Sequence, residues 1–429
     1  MSESPTPAEP SRRASWLPVL ALVAVGGILV AALFRTPWEQ DRILPPSFTA
    51  TAVPSRPESI DFSGYIGEQS CAECHPGEAA AHSGSGHSRT LWPAGEGAFA
   101  RWLAGQKVRD PEQPAVEWSY QLTGKDLEAR RHEGADIQKM SLELGVGSGK
   151  HGVTFVTMVP GSAGPLGPAA LEHRFSYLSP TGKMEITPGQ ESADAKKLKL
   201  HLVPFGRIHT PEQIIKCLAC HSTLTSRVKL QHLDPATMVP NVTCERCHGP
   251  GRDHIEAARQ GRTDDLKMPM TLLTEPRYQV EQCGECHRLP KDIGRAALYA
   301  GNAELSRFQS VGLSMSACFA KGREMKCSTC HEVHGRTSRD TAGYEAACLE
   351  CHRQGAAHRP CPVNAKEGCI GCHMPKKQVP GGWLFSDHWI RKPGDDPGPP
   401  PTVVPPRTTS TTRRGSPSPA EAGRSQRPS

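Results

Sequence analysis

The sequence is short of apolar and aromatic side chains: 37% of its 429 residues are hydrophobic and 5% aromatic. A chain of this length would ordinarily form two or three domains, and so little apolar material excludes a large core built from side chains alone. No Cys-x-x-Cys pair occurs without a histidine directly after it, which argues against structural zinc sites, where cysteine-only pairs are common. What the chain does have is seven copies of Cys-x-x-Cys-His, using fourteen of its sixteen cysteines. They are Cys71, Cys74 and His75; Cys217, Cys220 and His221; Cys244, Cys247 and His248; Cys283, Cys286 and His287; Cys327, Cys330 and His331; Cys348, Cys351 and His352; and Cys369, Cys372 and His373. A composition like this one would produce roughly a few hundredths of one such motif by chance.

Two thiols three residues apart can each add to a vinyl group on one porphyrin edge, and the adjoining histidine then reaches the iron. The pattern therefore predicts seven covalently attached c-type haems. Seven porphyrins would supply the missing apolar mass, and the 41 glycines and 40 prolines fit long loops around them. The expected fold class is mainly irregular, with short α-helices packed around multiple haems, a small antiparallel β module inserted after the first motif, and one N-terminal transmembrane helix. Haem-free chain is expected to be largely unfolded.

The formal charge of +6 does not read as a nucleic-acid footprint. Seven haems bring about fourteen propionates, and Arg246, Arg252, Arg288, Arg353 and Lys376 stand beside haem motifs, where propionate pairing is a sufficient use for them. Residues 16–34 form an uncharged run of nineteen preceded by Arg12 and Arg13. At about 1.5 Å per residue the run spans a hydrocarbon layer of about 30 Å. It is a membrane segment or a signal peptide; its length and the lack of a small-x-small cleavage site favour an anchor. The arginines then hold residues 1–15 in the cytoplasm and place the haem region on the periplasmic or extracytoplasmic side. Residues 35–65 read as a proline-containing linker. Residues 393–429, rich in Pro, Ser, Thr and Arg without apolar periodicity, read as a disordered tail.

Between these ends the first motif (segment 66–113) precedes the second by 146 residues. Val116, Trp118, Tyr120 and Leu122 alternate with polar residues, and Val153, Phe155, Phe175, Tyr177, Met184 and Ile186 fall in short runs broken by glycine and proline. That period of two predicts an antiparallel β module over 114–192. Residues 145–150, Gly-Val-Gly-Ser-Gly-Lys, superficially match a phosphate-binding loop, but the glycine spacing is short and His151 stands where Ser or Thr should be. A turn between strands is the better account. From residue 193 to 392 the motifs recur after 27, 39, 44, 21 and 21 residues, which forces neighbouring haems close together. Residues 211–216 and 341–347 can form helical turns that present a motif to one porphyrin.

Twelve histidines remain for seven distal positions. His254, His334 and His358 follow a motif histidine by only three or six residues and cannot easily cross to the other face of the same porphyrin. They are expected to ligate neighbouring haems. His87, His209, His232 and His388 complete the expected distal set, with His82 and His151 as substitutes. His132, His173 and His201 read as solvated surface histidines. Met315 and Met325 are the methionine alternatives. Cys318 and Cys361 are left over, and in an oxidising compartment they form a disulfide or stay as buried thiols, the bridge being favoured.

Several of these segments resemble the multihaem cytochrome c family. Residues 327–334, Cys-Ser-Thr-Cys-His-Glu-Val-His, then the Cys348 motif, then residues 369–375, Cys-Ile-Gly-Cys-His-Met-Pro, with Asp387 and His388 after them, are similar to its C-terminal haem cluster. Members include the tetrahaem cytochrome that accepts electrons from hydroxylamine oxidoreductase and the pentahaem cytochrome c nitrite reductase. Residues 244–251 with His254, and Ser85-Gly86-His87, also resemble that family's ligand-bearing elements. The resemblance implies that His388 is the distal ligand of the last haem. Nitrite reductases carry a Cys-x-x-Cys-Lys haem open to substrate; none occurs here. Electron transfer between redox partner proteins, with no catalytic residue demanded, is the expected function, and the oligomeric state is left open. The alternatives are an oxidoreductase acting on a small nitrogen or sulfur compound at one open haem, for which the solitary first haem is the expected site, and a docking module for a respiratory complex.

Overall fold

The computed structural model describes residues 62, 64–200, 202–229, 231–268, 275–322, 325–353 and 359–395. The expected cytoplasmic segment and anchor, nearly all of the linker and tail, and His201 and His358 lie outside the described residues. Among the described residues no helix is long and apolar enough to cross a membrane.

Twelve strands precede the second motif: β1 (Leu91–Pro93), β2 (Lys107–Arg109), β3 (Val116–Thr123), β4 (Asp126–Glu133), β5 (Asp136–Leu142), β6 (Leu144–Val146), β7 (Gly152–Met158), β8 (Ala170–His173), β9 (Phe175–Leu178), β10 (Lys183–Ile186), β11 (Leu202–Val203) and β12 (Gly206–His209). Strands β2 to β5 form a four-stranded antiparallel meander. Its two-residue turns open on Gly124 and Gly134, at φ +62° and +60°, a left-handed conformation that glycine adopts without strain. The second sheet runs β1-β6-β7-β8-β12-β11, with the β9–β10 hairpin joined through β7.

The sheets share one core. Val116, Trp118 and Tyr120 alternate inward on β3 and meet Phe155, Phe175 and Tyr177, with Phe99 from helix Gly97–Leu103 between them. Trp118, Phe99, Phe155 and Phe175 are fully buried, and Trp118 lies edge-on to Phe175 at 5.7 Å. Arg174 closes the edge of this core through Asp110 at 2.6 Å and Glu112 at 3.0 Å.

The sheets extend beyond residues 114–192 at both ends, because β1 and β2 come from the first-haem segment and β11 and β12 from the segment assigned to the later haems. Strands of two to four residues carry too little periodicity to be seen in sequence, and two of them pair at long range: β1 with β6 and β12 with β8. His173 corrects a second expectation. It is not solvated but fully buried, its Nε2 3.0 Å from the Tyr120 hydroxyl, because a phenol in an apolar core needs a hydrogen-bond partner. The glycine-rich stretch links β6 to β7, as a turn should; a side chain at Gly147 (φ +114°) would run into the Gly152 carbonyl.

The outer face of the second sheet positions the haem region. Leu91, Val146, Val156 and Ala170 pack against Ile214 and Leu218 of helix Pro211–His221, which ends on the second motif histidine. Beyond it come short helices, among them Cys244–His248, Arg252–Arg259, Pro276–His287, Gln309–Met315, Thr341–His352 and Cys369–His373, and two small two-stranded ribbons.

Candidate functional site

Cysteines at i and i+3 and a histidine at i+4 share one face of a helix, so a helix ending on the motif presents all three groups in one direction. Helices Pro211–His221, Cys244–His248, Pro276–His287, Thr341–His352 and Cys369–His373 all end on the motif histidine. Cys71 lies in helix Glu68–Ala72, and Cys327 opens a 3-10 turn, Cys327–Thr329.

Among the described residues, four motif histidines face a second imidazole. His75 meets His254 with ring centroids 6.3 Å apart, His248 meets His334 at 6.1 Å, His287 meets His87 at 6.3 Å, and His331 meets His388 at 6.1 Å. Two imidazoles bound to one metal at about 2 Å, each with its centroid about 1 Å behind the nitrogen, lie about 6 Å apart. The rings are thus spaced for one iron between each pair, and the residues fit haem c. Burial supplies the protonation state: His87 and His388 are pushed down to about 4, and His248, His287 and His331 are also lowered, first by burial. Neutral imidazole is the form that binds metal.

Each of these late histidines lies opposite a particular motif. His254 faces His75 and His334 faces His248, so both lie across a neighbouring motif rather than their own. His388 does not face His373, as the family resemblance implied; it faces His331. Helix Gln309–Met315 approaches the backbone of His388 and Trp389 closely here, and a Cβ on Gly312 would lie 2.6 Å from the Trp389 nitrogen. At the first motif, the expected open one, His254 lies opposite His75.

His209 and His232 face no motif histidine among the described residues. His209 binds Glu172 at 3.2 Å, and both rings keep a buried Nδ1 without a partner. His82 binds the Val242 carbonyl at 2.9 Å, and His151 lies against Phe385. The expected Cys318–Cys361 disulfide is not formed. Cys318 lies near Cys351, whereas Cys361 contacts His373 and accepts from the backbone of Val363 and Asn364. The 42 residues of intervening chain carry each thiol to a different motif.

Contacts between motifs give the spatial order. Thiols touch between Cys71 and Cys244, Cys220 and Cys286, Cys283 and Cys327, and Cys348 and Cys369. Arg246 pairs with Glu285 at 2.8 Å, Gln282 donates to the Cys247 carbonyl at 2.5 Å, and Ser328 N donates to Gln279 at 2.9 Å. The fourth motif therefore adjoins the second, third and fifth, the first adjoins the third, and the sixth adjoins the seventh.

Sequence reasoning missed the groups that orient this array. Glu245, buried inside the third motif, accepts from Ile66 N and Gly67 N at 2.8 Å and from Gly251 N at 3.0 Å. Glu345 likewise accepts from Gly368 N at 2.9 Å and Ile370 N at 3.1 Å. Each carboxylate caps the N-terminal end of a neighbouring motif's helix, where backbone N–H groups lack partners. Gln309 and Tyr344 meet the Nδ1 atoms of His287 and His331 at 3.0 and 3.3 Å. A glutamate between the two cysteines is no guide, since Glu73, Glu285 and Glu350 share it with Glu245, and Glu345 precedes its motif.

A family model described as "Cytochrome c554 and c-prime" matches residues 182–249, which include the second and third motifs with His209 and His232. Among curated proteins the chain is similar to the dissimilatory sulfite reductase MccA of Wolinella succinogenes, with 26% identity over 185 residues, 34% of this chain and 24% of the relative. The match thus spans about a quarter of that relative's length. No solved structure matches the chain. The motifs and both matches agree on the multihaem cytochrome c family, and with it on covalently bound haem c and a role in electron transfer or oxidoreduction.

Proposed function

We propose that this chain is a membrane-anchored electron-transfer protein that holds seven haems on the extracytoplasmic side of a membrane, with mostly bis-histidine ligation. When bound, haem c supplies one-electron chemistry at iron. The chain's own residues do the rest: the fourteen motif cysteines would hold the macrocycles, the paired imidazoles would ligate iron, and the buried carboxylates Glu245 and Glu345 lock adjacent motifs together. The observation that carries this reading is the set of four imidazole pairs with centroids 6.1–6.3 Å apart. Neighbouring motifs touch through their thiols, so electrons have short distances to cross. The partners are redox proteins, and residues 16–34 attach the assembly to the bilayer. Mass spectrometry together with a pyridine haemochrome assay on protein matured in an exporting host should count seven haems. A count of four or fewer contradicts the reading, and cleavage before residue 35 removes the anchor.

A second reading is favoured by one specific group of side chains. The half-buried His221 donates from Nδ1 to the Thr90 carbonyl at 3.1 Å, and its helix sits beside the His209–Glu172 pair. Glu172, Arg207 and Arg288 all act on Cys217. Two cations and a histidine–carboxylate pair near one motif can attract a small oxyanion and deliver protons to it. This reading makes the second motif the site of a reductase acting on a small sulfur or nitrogen oxyanion, in line with the name of the sulfite reductase relative. Sulfite, nitrite or carbon monoxide added to the reduced protein should then perturb one haem's spectrum; an unchanged spectrum removes catalysis at iron.

A further inference from the structure

The fourth motif stands apart in three respects. It is the junction of the array, with Cys286 against Cys220 of the second motif, Cys283 against Cys327 of the fifth, and Gln282 and Glu285 bound to the third. Its two imidazoles cross at 69°, whereas the other three pairs lie at 15°, 24° and 32°. And its motif histidine, His287, leans on a side-chain amide, where His331 meets the Tyr344 hydroxyl at 3.3 Å. The Nδ1 atoms of His221, His352 and His373 donate to main-chain carbonyls of Thr90 (3.1 Å), Arg359 (3.1 Å) and Arg391 (2.7 Å), but His287 Nδ1 is 3.0 Å from the amide oxygen of Gln309.

With Nε2 turned to iron, the proton of His287 sits on Nδ1 and Gln309 Oε1 accepts it. An acceptor at Nδ1 makes the imidazole a stronger electron donor and so favours the oxidised metal; a stronger acceptor does so more, and none does so least. Main-chain carbonyls cannot be exchanged by mutation or evolution, whereas a side-chain acceptor can. Gln309 is also firmly placed: it opens helix Gln309–Met315, whose next four residues, Ser310 to Leu313, are buried. The same helix is wedged against the backbone of His388, the second imidazole facing the fifth motif.

We propose that Gln309 is a positioning residue that sets the reduction potential of the haem held by the Cys283 motif, and with it the division of electrons at the junction. The proposal rests on the reading that His87 and His287 share one iron. Crossed imidazole planes leave two iron d orbitals nearly equal in energy, which moves the largest g value of that low-spin centre above those of near-parallel pairs and labels it among the seven.

The test is a redox titration of the full haem-loaded chain followed by low-temperature electron paramagnetic resonance on that labelled signal. Gln309→Leu should raise its midpoint and Gln309→Glu should lower it, each changing the oxidised-to-reduced ratio at fixed potential roughly tenfold, which is about 59 mV for one electron. The other low-spin signals should keep their midpoints. Unmoved midpoints in both variants, or movement in the same direction, which is what mere disturbance of the helix would give, overturns the proposal while leaving the His87–His287 pairing intact. A wild-type protein without the crossed-ligand signal overturns the pairing and the proposal with it.

Discussion

The two halves of this molecule are held together by different means. In the sheet region, Trp118, Phe99, Phe155 and Phe175 are fully buried and twelve strands satisfy one another's backbone groups. After the second motif the helices are short, buried apolar residues are scattered (Val242, Ala257, Val280, Val311), thiols of adjacent motifs touch, and the motif histidines His248, His287 and His331 each face a second imidazole. One region is ordinary side-chain packing; the other is arranged to enclose a cofactor. The low aromatic content of the whole chain thus hides a sharp division, since much of what there is sits between the two sheets.

The largest expected effect separates the halves directly. If haem attachment is prevented by replacing all fourteen motif cysteines with alanine, hydrogen exchange should show residues 244–392 unprotected and β3, β4 and β7 still protected. Uniform protection would show that the haem region has a sufficient core of its own. Next, Trp118→Ala should cost the sheets about 3–5 kcal/mol, read by denaturant unfolding of tyrosine and tryptophan fluorescence, with the haem spectrum unchanged; a changed spectrum would mean that the halves fold as one unit. A smaller effect is expected from Glu345→Ala, which leaves Gly368 N and Ile370 N without their acceptor at a cost of about 1–3 kcal/mol. It should expose the last two motifs to proteolysis before the rest.

The smallest effect is pH dependence within the sheets. Burial pushes His173 down to about 3, against about 6.5 in the unfolded chain. The folded state binds fewer protons, so this contribution is present above pH 6.5 and is lost as pH falls toward 3, with less than about 1 kcal/mol gone at pH 6. Measured unfolding free energies should slope this way in wild-type protein and lose that part of the slope in His173→Phe.

How much of this was legible in the sequence follows the same division. The motif cysteines and histidines are readable because covalent attachment demands fixed spacing. The crossing of His254 and His334 to neighbouring motifs followed from chain length alone, since three or six residues cannot reach round a porphyrin. The partner of His388 did not follow, because it depends on the packing of the chain after Ser386, which helix Gln309–Met315 approaches closely. Strand β3 was visible from its alternation, whereas β1 and β12 owe their existence to partners far away in sequence, and β11 to its pairing with β12. Gln309, Glu245 and Glu345 were invisible for a related reason: a polar side chain reveals its purpose only when the backbone it serves is in place.

The central claim, that paired imidazoles close the iron sites, is tested most directly by counting spins. Low-temperature electron paramagnetic resonance of the fully oxidised, seven-haem protein should show at least four haems' worth of low-spin ferric signal, one with the raised g value of crossed ligands. High-spin signal amounting to more than three haems would contradict the account, because at least one of the four pairs would then fail to share an iron.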